Sequence, residues 1–310
     1  MTSLRRLAFP LFCLAATVFS GRAQPVVMTT NTILQDIVRQ LAGDRVEARC
    51  LLPVGVDPHS FEPSPADVRR LAQAQLVVVN GVDFEPWLDK LVFNSGYNGS
   101  IVVATEGVAL IDSEGHEHDP AGADDQPAAG DPHEHGTLDP HAWHDPRNVI
   151  RYARNIALAL ADLLPTHTAE IEAAAAAYIA TLEELHRYAT AQFEKLPTAR
   201  RRLATAHDAL RYLEKAYNLQ IVPIAGLAPG QEPNPKALAR LIDTIRAQHV
   251  PAVFFESTSS PKALRLIADE AGVATVTSLY TDSLGPAGSP GATYAGMFRH
   301  NVDTIVAALR

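Results

Sequence analysis

The chain has 310 residues, 47% of them hydrophobic and 20% charged, and carries a formal net charge of −9. This composition excludes disordered and fibrous proteins, and the length predicts roughly two domains of about 150 residues each. An acidic chain without a basic patch is not expected to bind nucleic acid. Its two cysteines are too few for a disulfide scaffold or a thiolate metal cluster, whereas its twelve histidines are an unusually large number.

Residues 1–23 have the pattern of a secretory signal peptide. Two arginines precede an apolar run at 7–19, and a small residue, Ala23, ends the segment. The apolar run is too short to cross a bilayer, so we expect cleavage after Ala23 and release of the protein into the periplasm. Cys13 follows the bulky Phe12, which argues against a lipid anchor at this cysteine.

Residues 24–164 predict an N-terminal α/β lobe, because short runs rich in Val and Ile alternate with helical segments. The apolar runs are mostly continuous rather than alternating, which is typical of strands buried on both faces of a parallel sheet. Cys50, on the second strand, is predicted to be a buried and unreactive thiol. The predicted strands are 26–30, 46–52, 76–80 and 101–104, and the predicted helices are 32–41, 65–74, 86–92 and 147–164.

Residues 112–137 interrupt this alternation. The segment is rich in Asp, Gly, Ala, Pro and His and has no periodicity, so it predicts a surface loop. Two short, nearly mirrored motifs within it hold the histidines His116, His118, His133 and His135. One interpretation is a solvated tract that binds metals loosely and without a role, and the other is an accessory element that collects or transfers metal.

A long helical run at 165–196 follows the first lobe. A helix of this length extends about 48 Å, which is longer than a small domain is wide. It is either a rigid strut that joins two domains or an ordinary helix on the surface of one. Its apolar residues recur in steps of three and four, at Ile171, Ala175, Tyr178, Leu182, Leu185 and Ala189.

Residues 197–310 resume the alternation and predict a C-terminal α/β lobe. The chain is thus predicted to hold two α/β halves of similar build, connected once. The predicted strands are 203–206, 221–225, 252–256 and 274–277, and the predicted helices are 208–217, 235–248, 261–271 and 294–309.

Four polar residues stand where a ligand site is expected. His59 follows the second strand, His141 lies where order resumes after the loop, His207 closes a strand, and Asp282 follows the last strand. Open α/β sheets bind ligands at the carboxyl ends of their strands, so these side chains can meet between the lobes. Three imidazoles and one carboxylate form a tetrahedral set that suits Zn²⁺, whereas Mg²⁺ and Ca²⁺ prefer cages of oxygen atoms.

Common catalytic motifs are missing from the sequence. The chain contains neither GxxxxGK[ST] nor GxGxxG, the signatures of phosphate and dinucleotide binding. It also lacks GxSxG and HExxH, which mark serine hydrolases and zinc proteases. We therefore expect a binding protein and not an enzyme, because four protein ligands leave no open position for a reactive water.

Four motifs resemble those of the metal-binding solute receptors of bacterial ABC importers, and in particular their zinc branch (ZnuA/AztC-like). They are DPHSFEP at 57–63, DPHAWHDP at 139–146, AHDALRYL at 206–213 and YTDSLGPAGSPGATYAGMF at 280–298. The resemblance covers nearly the whole chain after residue 23. It implies an α/β fold of two lobes, each with a small, mostly parallel sheet flanked by helices, joined by one long backbone helix, with the metal between them.

The resemblance also implies the ligand set and the function. By motif, the metal ligands are His59, His141, His207 and Asp282, and since manganese receptors of this family carry Glu at the third position, His207 favours zinc. Trp143 and His144 are candidates for residues that contact the ligands and help to position them without binding the metal. Because His-rich loops recur at the same place in zinc receptors, the resemblance favours a metal-collecting role for the loop at 112–137.

The expected function is capture of Zn²⁺ in the periplasm and its delivery to an ABC permease in the inner membrane, by a protein that we expect to be a monomer. A rigid connecting helix predicts small lobe movement, so release is expected to need local loop displacement. A separate periplasmic zinc chaperone is a further candidate partner. The alternatives are a manganese or iron receptor of the same family, an adhesin, and a zinc hydrolase in which Asp282 stays off the metal.

Overall fold

The structure of the protein is a computed structural model. The predicted signal peptide at 1–23, residues 113–137 with the four loop histidines, and His207 lie outside the part of the chain that it describes. The described residues are 24–112, 138–205, 208–223, 239, 242–243, 245–247, 250–256 and 261–310.

Two four-stranded parallel sheets form the framework, one in each half of the chain. The first has the order β2-β1-β3-β4 and the second the order β6-β5-β7-β8. The strands are β1 (Val26–Thr29), β2 (Glu47–Cys50), β3 (Leu76–Val79), β4 (Ser100–Val103), β5 (Arg202–Thr205), β6 (Gln220–Pro223), β7 (Ala252–Glu256) and β8 (Ala274–Leu279). This arrangement confirms the predicted α/β fold with two small parallel sheets.

Burial differs between the central and the edge strands of the first sheet. All four residues of β1 and of β3 are buried, as predicted for strands covered on both faces. The prediction was wrong for β2 and β4, whose residues are partly or fully exposed. Both are edge strands with a neighbour on one side only, so Ile101 and Val103 remain exposed although their sequence is as apolar as that of β3.

Helices flank both sheets. Polar side chains cap the first two: Asn31 Oδ1 accepts the Leu34 N–H at 2.9 Å, and Ser64 and Asp67 form a reciprocal capping box. Among the described residues, no helix is both long and apolar enough to cross a bilayer. The helices are α1 (Thr32–Ala42), α2 (Pro65–Leu71), α3 (Leu88–Ser95), α4 (Pro146–Leu163), α5 (Thr168–Phe193), α6 (Arg211–Tyr217), α7 (Pro261–Ala271) and α8 (Tyr294–Leu309).

Helix α5 joins the two halves. It begins at Thr168 rather than at residue 165, because Pro165–His167 forms a 3₁₀ turn, and its 26 residues extend about 39 Å. The whole apolar stripe expected from the sequence is buried, and α5 packs against α1 and α4 of the first half and against α8 of the second. The helix is therefore a strut that joins the lobes and buries one face against them.

One hydrophobic core crosses the boundary between the halves. It includes Ile37 of α1 and Tyr152 of α4 from the first half, Leu182 of α5, and Phe298 of α8 from the second half. Because both lobes share this core with the linking helix, separating them would expose buried apolar surface, which opposes a wide hinge opening.

Candidate metal centre

Three of the four predicted ligands lie together between the lobes. His59, His141 and Asp282 each offer one ligand atom, and these atoms all lie within 4.8 Å of one another. His59 follows β2, His141 precedes α4, and Asp282 follows β8, so both lobes contribute. The fourth predicted ligand, His207, lies outside the described residues.

His141 is held by a carboxylate two residues earlier in the chain. Its ring Nδ1 lies 2.8 Å from Asp139 Oδ1, and its backbone N–H donates to the same oxygen at 2.9 Å. Because a carboxylate can only accept, Nδ1 carries the hydrogen, and Nε2 keeps its lone pair for a metal. Nε2 lies 3.6 Å from Asp282 Oδ1, so the two candidate ligand atoms face each other.

Asp139 was missed by the sequence analysis as a functional residue. The signal was present, since the tripeptide Asp-Pro-His occurs three times, at 57–59, 131–133 and 139–141, of which the second lies outside the described residues. In both described copies the histidine N–H donates to the aspartate Oδ1, at 3.0 Å for His59 and 2.9 Å for His141. The repeated tripeptide is therefore a compact turn that orients a candidate ligand histidine.

The His59 turn is also fixed from outside. Trp87, at the start of α3, donates its Nε1 hydrogen to the Pro58 carbonyl at 2.9 Å. Asp57 accepts the Ser60 hydroxyl at 2.7 Å in addition to the His59 N–H. These bonds hold the candidate ligand His59 in a fixed turn of the loop between β2 and α2.

Two fully buried aromatic rings line the protein side of the site. Phe84 makes edge contacts with the rings of His59 and His141, with centroid separations of 5.3 and 5.9 Å. Trp143 packs on His141 at 5.3 Å and on Phe84 at 4.9 Å, and His144 beside it is fully buried. These rings exclude water behind the ligands, which strengthens electrostatic attraction between a bound cation and Asp282.

The loop that carries Phe84 has an unusual backbone. Gly81, Val82 and Asp83 all have positive φ angles, of 83°, 58° and 54°, which are costly for a β-branched residue such as Val82. Glu85 compensates by accepting the N–H groups of Asn80 and Gly81, at 2.7 and 3.0 Å. Burial raises the pKa of the Glu85 carboxyl.

Asp282 lies in a buried segment that is anchored to both lobes. Just before it, Tyr280 exchanges two hydrogen bonds with the Asn301 side chain of α8, at 3.0 and 2.7 Å. On the other side, Trp143 Nε1 donates to the Thr281 carbonyl at 2.9 Å. Asp282 itself is 3% exposed, so its carboxylate lies out of reach of bulk solvent.

The two described ends of the predicted His-rich loop meet next to the site. Asp112 and Leu138 form an isolated antiparallel bridge, and the Asp139 N–H donates to the Ile111 carbonyl at 2.9 Å. The loop therefore begins at Asp112, which pairs with Leu138, and Leu138 lies three residues before His141. The four histidines of the loop lie outside the described residues.

The donor set fits a divalent transition metal. Two imidazole nitrogens and a carboxylate oxygen converge in a largely buried place, which suits Zn²⁺, Mn²⁺ and related ions better than Mg²⁺ or Ca²⁺. A buried carboxylate gains from a bound cation, because the cation offsets the cost of desolvating the negative charge.

Comparison with known proteins places this geometry among transport components. Residues 27–308 match the family described as zinc-uptake complex component A, periplasmic. The metal ABC transporter substrate-binding lipoprotein SsaB of Streptococcus sanguinis is 31% identical over 285 residues, which cover 90% of this chain and 87% of that protein. The manganese ABC transporter substrate-binding lipoprotein PsaA of Streptococcus pneumoniae is 31% identical over 289 residues, which cover 91% and 88%.

A solved structure shares the architecture. The periplasmic zinc-binding protein TroA of Treponema pallidum superposes with a TM-score of 0.79 at 29% identity, covering 93% of this chain and 99% of that one. The likeness extends over both lobes and the linking helix.

Proposed function

The chain belongs to the family of periplasmic zinc-uptake complex components A, and on that premise we propose that it captures Zn²⁺ outside the cytoplasm and delivers it to a membrane permease. As a member of this family it is the metal-binding substrate receptor of an ABC transporter and not an enzyme, as the missing catalytic motifs predicted. The zinc-hydrolase alternative is therefore set aside.

The observation that carries the proposal is the convergence of His59, His141 and Asp282 between the lobes. We propose these three residues, together with His207, as the metal ligands. Four protein ligands close the coordination sphere of zinc, which suits tight capture rather than chemistry on a bound water.

Zinc is proposed over manganese on the character of the donors. Three imidazole nitrogens and one carboxylate oxygen form a tetrahedral set preferred by Zn²⁺, whereas Mn²⁺ favours more oxygen atoms and a higher coordination number. The family description and the name of TroA mention zinc. The competing candidate is a manganese or iron receptor, and it is favoured by relatives such as PsaA that are named for manganese.

A competitive calorimetric titration distinguishes these candidates. We expect Zn²⁺ to displace Mn²⁺ from the purified protein, with one tight site per chain. The variant His141→Ala is expected to lose that site, whereas His167→Ala, a change of a histidine in the 3₁₀ turn just before α5, keeps it. Tighter binding of Mn²⁺ than of Zn²⁺ would replace the proposal with the manganese candidate.

We further propose that the loop histidines collect metal for the main site. The loop begins and ends beside His141 at the Asp112–Leu138 bridge, and this position supports the proposal. Replacing His116, His118, His133 and His135 by serine is expected to slow zinc loading at low concentration while leaving the affinity of the main site unchanged. Equal loading rates in the two proteins would contradict this role.

The proposed location and partner follow from the same premise. We propose that residues 1–23 direct secretion and are removed, although several relatives are named lipoproteins.

Stimulation of ATP hydrolysis by a reconstituted ABC permease, seen with the zinc-loaded protein and not with the His141→Ala variant, tests delivery. We further propose that the receptor acts as a monomer. A periplasmic zinc chaperone is a candidate partner that can be added to the same reconstitution.

A further inference from the structure

The segment around Asp282 belongs to the C-terminal lobe by sequence, since it follows β8, but three hydrogen bonds tie it to the N-terminal lobe. They run from Trp143 Nε1 to the Thr281 carbonyl (2.9 Å), from the Gly55 N–H to Ser283 Oγ (3.0 Å) and from the Leu284 N–H to Thr32 Oγ1 (2.8 Å). They flank Asp282 on both sides, so the place of its carboxylate depends on the opposite lobe.

Two hydroxyl groups form the centre of this connection. Thr32 Oγ1 and Ser283 Oγ lie 3.4 Å apart, and Ser283 Oγ also donates to the Leu284 carbonyl at 3.0 Å. Thr32 is 6% exposed and Ser283 is 3% exposed. Removing the Thr32 hydroxyl leaves the buried Leu284 N–H without its acceptor, whereas removing the Ser283 hydroxyl breaks the partly buried bond from Gly55, an exposed residue.

The same contacts link the segments that carry two of the proposed ligands. Gly55 lies in the loop between β2 and α2, four residues before His59. Its bond to Ser283 therefore joins the His59 loop to the Asp282 segment directly. Thr32 is the first residue of α1, which packs against the linking helix α5. The Thr32 hydroxyl is therefore held in place by the hydrophobic core that both lobes share.

We propose that Thr32 and Ser283 are positioning residues for Asp282, and that their hydrogen bonds across the lobes limit the rate at which metal leaves the site. They act through the backbone of residues 283 and 284 and not as ligands. The inference rests on the proposed metal-binding function and adds to it the residues that control the rate of metal release. Because the shared core opposes wide opening, breaking these few bonds is the smaller movement that withdraws Asp282.

Stopped-flow release of Zn²⁺ into an excess of a fluorescent chelator tests this inference. We expect Thr32→Val and Ser283→Ala each to release zinc about tenfold faster than the wild type, because each loses a hydrogen bond that joins the Asp282 segment to the opposite lobe. Thr32→Ser keeps the hydroxyl and is expected to release zinc at the wild-type rate. Thr181→Val is a matched control, since it removes an exposed threonine hydroxyl that bonds within α5.

Two further measurements separate positioning from general stability. Co²⁺ absorption spectra report the ligand field, and we expect a changed spectrum in Thr32→Val and an unchanged one in Thr32→Ser. Thermal unfolding of the metal-free variants reports stability alone, and Ser283→Ala provides a second test if Thr32→Val folds poorly. Wild-type release rates in Thr32→Val and Ser283→Ala, or equal acceleration in Thr32→Ser and Thr32→Val, would overturn the inference. A wild-type protein that binds no divalent metal would instead overturn the proposed function.

Discussion

The Nδ1 atom of His141 lies 2.8 Å from the Oδ1 atom of Asp139, and both side chains are almost completely buried. The carboxylate fixes the hydrogen on Nδ1 and aims Nε2 toward Asp282. Asp139 is itself held, since its backbone carbonyl accepts the Tyr212 hydroxyl at 2.9 Å. A candidate metal ligand is thus oriented by a chain of contacts that reaches from the site to α6.

Replacing Asp139 by Ala is expected to weaken Zn²⁺ binding by about 10- to 100-fold, because His141 loses the partner that sets its tautomer and orientation. Isothermal titration calorimetry at neutral pH measures the effect, with circular dichroism as a check that the protein is folded. Asp162→Ala, a change of an exposed aspartate near the end of α4, is the control and should bind zinc as the wild type does. Unchanged affinity in Asp139→Ala would contradict the orienting role.

Tyr294→Phe is expected to lower the free energy of unfolding by about 1–3 kcal/mol, because the change leaves a buried carbonyl without its donor. The Tyr294 hydroxyl donates to the Trp143 carbonyl at 2.7 Å, across the boundary between the lobes. Tyr97→Phe is a matched control, since the Tyr97 hydroxyl donates to the Ser100 carbonyl at 2.8 Å in a solvent-exposed place. Urea unfolding of the metal-free proteins measures both, and equal losses would argue against burial as the cause.

Gly81→Ala is expected to destabilise the protein more than Gly96→Ala. Both glycines have positive φ angles, of 83° and 64°, so each alanine costs about 1 kcal/mol in backbone strain. A Cβ at residue 81 would also lie 2.6 Å from Val103 Cγ1, whereas at residue 96 it meets no atom within 4 Å. The clash adds about 1–3 kcal/mol. Thermal or urea unfolding of the two variants side by side tests this, and a larger loss for Gly96→Ala would refute the steric explanation.

Cys50, which is half-buried on the edge strand β2, is expected to be alkylated slowly near pH 8 in the folded protein. Burial raises the pKa of its thiol from 9.0 to about 11, so the reactive thiolate is about a hundredfold scarcer than in the unfolded chain. The folded protein's labelling rate should therefore reach half its maximum only near pH 11, whereas that of the unfolded chain should reach half its maximum near pH 9. In a chain that begins at Gln24, Cys50 is the sole cysteine, so iodoacetamide uptake followed by mass spectrometry is unambiguous. Equal rates in the folded and urea-unfolded protein at pH 8 would contradict the burial argument.

The helices and strands of the described residues followed from local patterns, and most of their bounds lie within three residues of the sequence prediction. The predicted helix at 235–248 lies largely outside the described residues. Asn31 and Ser64 show why, because a capping side chain acts on backbone groups two or three residues away. The differences have causes outside the local pattern. The burial of β4 was overestimated since nothing in its four residues records that the strand lies at the edge of a sheet. The linking helix begins three residues late because Pro165 starts a separate 3₁₀ turn.

The site was predicted in part. Residues at the ends of strands could be named in advance, because parallel strands place their carboxyl ends at one edge, and three of the four named residues lie together in the structure. Phe84 and Thr32 could not be named, since a phenylalanine between two strands and a threonine at a helix start are ordinary in sequence. Their importance comes from contacts with residues far along the chain: Thr32 contacts Leu284.

The amino-acid sequence by itself determined the α/β class, the two lobes and the type of donor that could meet between them, because periodicity, capping and ligand chemistry depend on residues that are near in the chain. Only the tertiary structure decided which groups hold those donors. The pairing of Asp139 with His141, the aromatic rings behind the ligands and the hydrogen bonds from Thr32 and Gly55 to the Asp282 segment arise when the two lobes close on a shared core. That closure depends on shape and burial summed over the whole chain, which no single stretch of sequence records.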